Sequence, residues 1–199
     1  MKKFLFTIGM ALFCGTAFAQ NSAIFKAQAL EQKGDIAGAA ALLEEALKHP
    51  KTTKFAEMYH QVAEDNAKLF NPELMKAAQG LPFDTAAFCM HLDKMVDFYT
   101  KSHEADVKPD EKGRVKSKFV AQNKSRMLTM VDYYNYAAMF QYQNHDTAQA
   151  ISYFEKYLKF PNNVVFTKHE SDSIFAAKKS AYSQTALNLA SLNYNKKNW

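Results

Sequence analysis

Apolar and polar positions follow one another along this chain with the period of α-helices almost throughout. From Ile36 the apolar positions are Ile36, Ala39, Ala40, Leu43, Ala46 and Leu47, a stripe along a single helical face. Gly34-Asp35 closes a preceding helix over 23–33, Asp35 caps the next one, and Pro50 stops it. The spacing then predicts a helix over 55–69. Asn71-Pro72 reads as a cap with proline in the first turn, opening a short helix to 79. After Gly80 and Pro82, Asp84 caps an amphipathic helix carrying Phe88, Leu92, Met95, Val96 and Tyr99. Residues 103–115 are polar and contain Pro109 and Gly113, which predicts an exposed loop. One helix is expected over 116–143 and another over 147–159, ended by Pro161; a loop at 162–171 precedes a last helix over 172–195. Only Val164-Val165-Phe166 resembles a strand, and three residues make no sheet. The fold class expected is all-α, built of antiparallel helix hairpins.

Helix pairs of this length call for a search for internal repeats. Aligning Ala39 with Ala150, an offset of 111 residues, brings a whole hairpin into register. Ala27 meets Ala138, Asp35 meets Asp146, Leu43 meets Phe154, and Glu44 meets Glu155. Leu47 meets Leu158, Lys48 meets Lys159, and Pro50 meets Pro161. Small residues fall where two helices cross closely, large ones fill the space between, and proline stops the second helix. The offset is about three units of the roughly 34-residue class, allowing for inserted loops.

This pattern resembles the tetratricopeptide repeat. Gly34-Asp35-Ile36 through Pro50 matches the turn and second helix of that repeat closely, and residues 144–161 match with Asn-His-Asp at the turn. The stretch 55–102 fits as a degenerate hairpin. The chain also resembles exported tetratricopeptide proteins of Bacteroides-like bacteria, through a leader ending in Ala-x-Ala-Gln and the loop Asp106-Val107-Lys108-Pro109-Asp110-Glu111-Lys112-Gly113-Arg114-Val115-Lys116. The resemblance implies a right-handed α-solenoid with a degenerate middle repeat and an envelope location; it carries no activity. Its hairpins would span about 22–50, 53–102 and 116–161, with an incomplete repeat at 172–199.

Residues 1–19 read as a signal peptide. Lys2 and Lys3 form a positive start, an apolar run follows, and Ala17-Phe18-Ala19 sets cleavage before Gln20. The apolar run is too short to span a bilayer, which needs roughly 20 residues. Phe13 ahead of Cys14 disfavours lipidation. The remaining 20–199 form the repeat domain, placed in the periplasm or peripherally at the outer membrane, with no transmembrane segment of its own. Losing two lysines lowers the formal charge from +5 to +3. That excess is spread along the chain, and Arg114 and Arg126 are the only arginines, which argues against nucleic acid as partner. Cys89 is then the single cysteine, in an apolar stretch that predicts a buried thiol.

Catalytic and metal chemistry find little support. The six histidines form no helical ligand pair, and no nucleophile motif or phosphate-binding glycine loop is present. Asp106, Asp110 and Glu111 are interleaved with Lys108 and Lys112, a poor arrangement for calcium. No cofactor is expected. Tyr133, Tyr134, Tyr136, Phe140, Tyr142, Tyr153, Phe154 and Tyr157 crowd two helices, mostly as packing between them. In a superhelical repeat the first helix of each pair lines the concave face. That register selects Asp132, Asn135, Met139, Tyr142 and Gln143 as partner-binding residues, suited to an extended peptide. The equivalent positions of the first hairpin, Asn21, Ile24, Gln28, Glu31 and Gln32, carry no lysine or arginine, which argues against a basic clamp for a terminal carboxylate.

The function expected is therefore a non-catalytic protein-interaction scaffold of the bacterial envelope, its partner a protein or peptide. The alternative is a glycan- or nutrient-binding accessory of an outer-membrane uptake system. Aligning Ala138 with Ala190 sets Lys197-Asn198-Trp199 at a turn that opens a second helix, so the sequence reads as stopping within a repeat. The reading frame beyond Trp199 checks this: an alanine at the third following codon is expected, and an immediate stop codon would sink the idea.

Overall fold

The backbone reverses direction the same way after three helices. In the computed structural model, which describes residues 22–49 and 52–197, α1 (22–32) ends at Gly34, at φ 83°, and α2 (Ile36–Leu47) begins. α3 (Phe55–Ala78) ends at Gly80, at φ 69°, ahead of α4 (Thr85–Asp106), and α6 (Tyr133–Gln143) ends at His145, at φ 62°, ahead of α7 (Thr147–Lys159). The hydrogen bonds agree. The Asp35 amide donates to Leu30, Leu81 to Lys76 and Asp146 to Gln141, each closing a left-handed helix end. An aspartate then starts the second helix: Asp35, Asp84 and Asp146 accept from the amides of Gly38, Ala87 and Gln149 at 2.9, 2.9 and 3.0 Å. The leader, its cleavage point, Asn21, Pro50 and the Asn198-Trp199 turn lie outside the described residues.

The described residues are all-helical, packed largely as sequential antiparallel pairs. α2 leans on α3, α3 pairs with α4, and α6 pairs with α7. α5 (Val120–Thr129) lies against α4, and α9 (Lys179–Lys197) lies on α7. A 3-10 turn (Phe160–Asn162) and α8 (Lys168–Ala177) join α7 to α9. Ala27, Ala39, Ala138 and Ala150 are fully buried, as are Leu43 and, nearly so, Phe154. A small residue at each crossing lets two helix axes approach to about 8 Å while the larger one fills the gap beside it. One apolar cluster joins α1, α2 and α3; a larger one runs from α3 to α9, and Phe98 packs against both.

Four boundaries differ from the sequence expectation. α3 is continuous from 55 to 78 with Pro72 inside it, where two helices were expected. An interior proline costs about 3 kcal/mol; here Phe70, fully buried, packs on Phe88, and Leu74, partly buried, packs against the same cluster. The expected helix 116–143 is instead α5 and α6, broken at Met130-Val131-Asp132, with Met130 and Val131 both buried. The expected helix 172–195 is α8 and α9, broken at Lys178 and begun earlier by a Thr167–Glu170 capping box. Those two breaks meet, because Lys178 Nζ lies 2.6 Å from Asp132 Oδ2. The expected exposed loop at 103–115 shifts to 107–119, since α4 continues to Asp106.

The Gly34 and His145 turns make opposite demands on substitution. No neighbour lies within 4 Å of a Cβ placed at Gly34, so Gly34→Ala costs only backbone strain, about 1 kcal/mol. His145→Gly is expected to be neutral or to stabilise by up to about 1 kcal/mol, a rise of roughly 2–4 °C in thermal midpoint. Thermal unfolding followed by circular dichroism checks both; equal effects of the two substitutions would contradict equivalent turns.

Candidate functional site

The five residues selected from the repeat register fall into three groups. Asp132 and Asn135, at the start of α6, are engaged within the chain. Asp132 takes Lys178 and accepts from the Tyr157 hydroxyl at 3.4 Å, and it gives α6 no side-chain cap. Asn135 Oδ1 accepts from the Thr185 hydroxyl of α9 at 3.4 Å. Met139 and Tyr142, on the last turns of α6, are exposed and line a cleft of about 310 Å³. Gln143 is exposed at the end of the helix, outside that lining.

The cleft exists because α9 crosses the α6–α7 pair. Phe154 of α7, almost fully buried, forms its floor, and Asn188, Ser191 and Leu192 of α9 form the opposite wall. Tyr142 is half exposed and lines the cleft together with Asn188 and Ser191. Those three α9 residues were not selected from the sequence. They occupy a helix outside the matched hairpin, and nothing in their spacing distinguishes them. In the first hairpin, Glu31 stands where Tyr142 does, and it receives the Gln61 amide at 2.6 Å and the Lys68 ammonium. The position equivalent to Tyr142 is therefore taken up by polar contacts to α3 in the first hairpin.

Polar groups elsewhere hold helices together. Glu64 receives both arms of Arg126 at 2.8 Å and the Tyr99 hydroxyl at 2.8 Å; these bonds draw its carboxyl below the usual range against the burial that raises it. His60 Nδ1 lies 2.8 Å from Asn123 Oδ1, and the Asn123 amide donates to Ser102, which donates to the Ala56 carbonyl. Cys89 is buried, with its thiol pushed up by desolvation. In the loop, Asp110 holds the Arg114 guanidinium at 2.8 and 3.0 Å and the amides of Lys112 and Arg114. Asp106 accepts the amides of Lys118, Phe119 and Val120 at 2.8, 2.6 and 3.0 Å, closing the start of α5. Among the described residues, no group of three or more His, Cys, Asp or Glu is placed to hold a metal ion. No helix of those residues is long and apolar enough to cross a membrane.

Asp65, with His103 and Tyr182, departs from this pairing, each leaving a buried polar atom without a partner. Asp65 is fully buried; Oδ1 has Lys68 at 3.2 Å, but Oδ2 has no partner. Burial pushes its carboxyl up to about 6. A carboxyl raised on folding keeps its proton longer in the native chain than in the unfolded one. Stability from this group is present below about pH 4 and is lost as pH rises to about 6. Relative to Asp65→Asn, the wild type is expected to lose about 1–2 kcal/mol between those limits. Urea unfolding of both proteins across the range measures the difference, and parallel profiles would contradict it. Compared with known proteins, the chain matches no family model, no curated protein and no solved structure.

Proposed function

We propose that the chain is a tetratricopeptide-like scaffold of the bacterial envelope that holds a partner segment against α6 and α9. The observation that carries this reading is the correspondence of two hairpins at an offset of 111 residues (Ala39 to Ala150). It includes the positive-φ turns at Gly34 and His145 and the Asp35 and Asp146 caps. It also includes the buried pairs Ala27/Ala138, Ala39/Ala150 and Leu43/Phe154. A hairpin repeated in this way is the unit from which a right-handed solenoid is assembled, and such assemblies bind through the surface their first helices share. The longer pair α3 and α4, which covers the stretch 55–102, is the degenerate middle of that array.

On this reading Met139 and Tyr142 contact the partner, with Gln143 at the edge, whereas Asp132 and Asn135 position α9. An aromatic face with neighbouring amide and hydroxyl groups suits a peptide backbone beside one apolar side chain. The same pairing of ring and polar groups suits a sugar, which keeps the glycan-binding accessory as the second reading. Envelope extract passed over immobilised full chain tests the choice. A defined protein retained by wild type, lost with Tyr142→Ala and kept with Met75→Ala, supports the scaffold. Tyr142→Ala is expected to weaken retention about tenfold or more, as loss of an aromatic anchor does. Glycan-array hits abolished by Tyr142→Ala, without protein retention, would establish the second reading in its place.

A further inference from the structure

Lysines that are scattered in the sequence come together in space. The ends of α3 and α4 and the 107–119 loop enclose a cleft of about 630 Å³. Phe55, Tyr59 and Phe119 are half-buried in its lining; Phe55 stacks on Tyr59 at 5.9 Å, and Phe119 stacks on His60 at 4.5 Å. Lys54, Lys101, Lys108, Lys116 and Lys118 line the same cleft. The even distribution of positive charge read from the sequence is therefore not kept in the fold.

What matters is which of these charges is already balanced. Lys54 lies 3.7 Å from Glu57, and Lys101 lies 2.6 Å from Asp97. Asp106 lines the cleft, but one of its oxygens takes three amides at the positive end of α5. That leaves Glu104 as the remaining acid of the lining. Lys108, Lys116 and Lys118 have no carboxylate partner among the described residues; Lys118 lies 5.0 Å from the Phe119 ring centroid. The start of α3 also opens here, and Lys54 provides no side-chain cap. The end of α4 opposes that dipole, so the lysines carry the attraction.

We propose that this cleft is a docking site for an acidic peptide segment bearing an aromatic side chain. Carboxylates would meet Lys108, Lys116 and Lys118, while the aromatic group packs on the Phe55–Tyr59–Phe119 surface. A concave site of this volume encloses a side chain and a short stretch of backbone. A flat bilayer surface would reach its lysine rim and leave the aromatic floor uncovered, which favours a peptide over anionic lipid. The site shares no residue with the Met139–Tyr142 cleft, so failure at one leaves the other standing.

The test uses the full chain and an acetylated, amidated peptide of about eight residues, rich in glutamate with two phenylalanines. Titration calorimetry is expected to show micromolar binding at about 50 mM salt that weakens several-fold by about 300 mM. The glutamine version of the peptide should bind about tenfold more weakly, as should the Lys116→Gln/Lys118→Gln protein toward the original peptide. Both side chains belong to exposed residues, and an unchanged thermal melt verifies folding. Lys33→Gln/Lys179→Gln removes the same charge elsewhere and should leave affinity intact. Absence of binding, equal binding of the two peptides, or equal loss in the two protein variants would overturn the proposal. So would binding to phosphatidylglycerol vesicles without binding to the peptide.

Discussion

At Gly34, Gly80 and His145 the backbone passes through positive φ and the next residue's amide reaches back to a carbonyl of the helix just ended. This left-handed closure fixes the direction in which each following helix returns, and everything that packs depends on it. Once the return is set, Ala27 and Ala39 in one hairpin and Ala138 and Ala150 in the other are fully buried between helices. Leu43 and Phe154 then have one space each to fill. The turn at Gly80 is followed by Leu81-Pro82-Phe83 before its capping Asp84, whereas Asp35 and Asp146 cap immediately. The same reversal therefore serves a longer pair, α3 and α4, whose length carries the chain from the first apolar cluster into the second.

The parts legible in the sequence are those decided within a few residues. Helix periodicity, the Asp35, Asp84 and Asp146 caps and the buried alanines are all local, and the 111-residue register (Ala39 to Ala150) compares one local pattern with another. The misread boundaries are decided by distant groups. Nothing near Asp132 or Lys178 announces a break, because each is an ordinary polar position on an amphipathic helix. Their ion pair joins the two breaks across 46 residues of sequence. Pro72 fails in the other direction: its local signal for a helix start is strong, and burial of Phe70 and Leu74 outweighs it.

The candidate site follows the same division. Register alone selected Asp132, Asn135, Met139, Tyr142 and Gln143, and the fold divides them: Met139 and Tyr142 share a cleft, and the other three lie outside its lining. Register could not show that Lys178, at the break before α9, and Thr185 of α9 would engage Asp132 and Asn135 and leave Met139 and Tyr142 open. For the lysine cleft the sequence held a usable signal in the closeness of Lys108, Lys116 and Lys118 along one loop. Its partners Lys54 and Lys101 belong to other helices, and only the α3–α4 pairing brings them alongside.

Charge in this chain is organised by where the aspartates act. Asp35, Asp84 and Asp146 cap helices, Asp132 and Asp93 tie helices through Lys178 and Lys156, and Asp110 holds Arg114 within the loop. An acid engaged with backbone amides or an arginine is poorly placed to neutralise a lysine nearby. Asp106 makes the point most directly, since it lies among the lysines and yet directs one oxygen to three amides of α5. The carboxylate that starts α5 and fixes the end of the loop makes no ion pair with Lys116 or Lys118. Local folding of the loop thus takes up the one aspartate that lines the cleft.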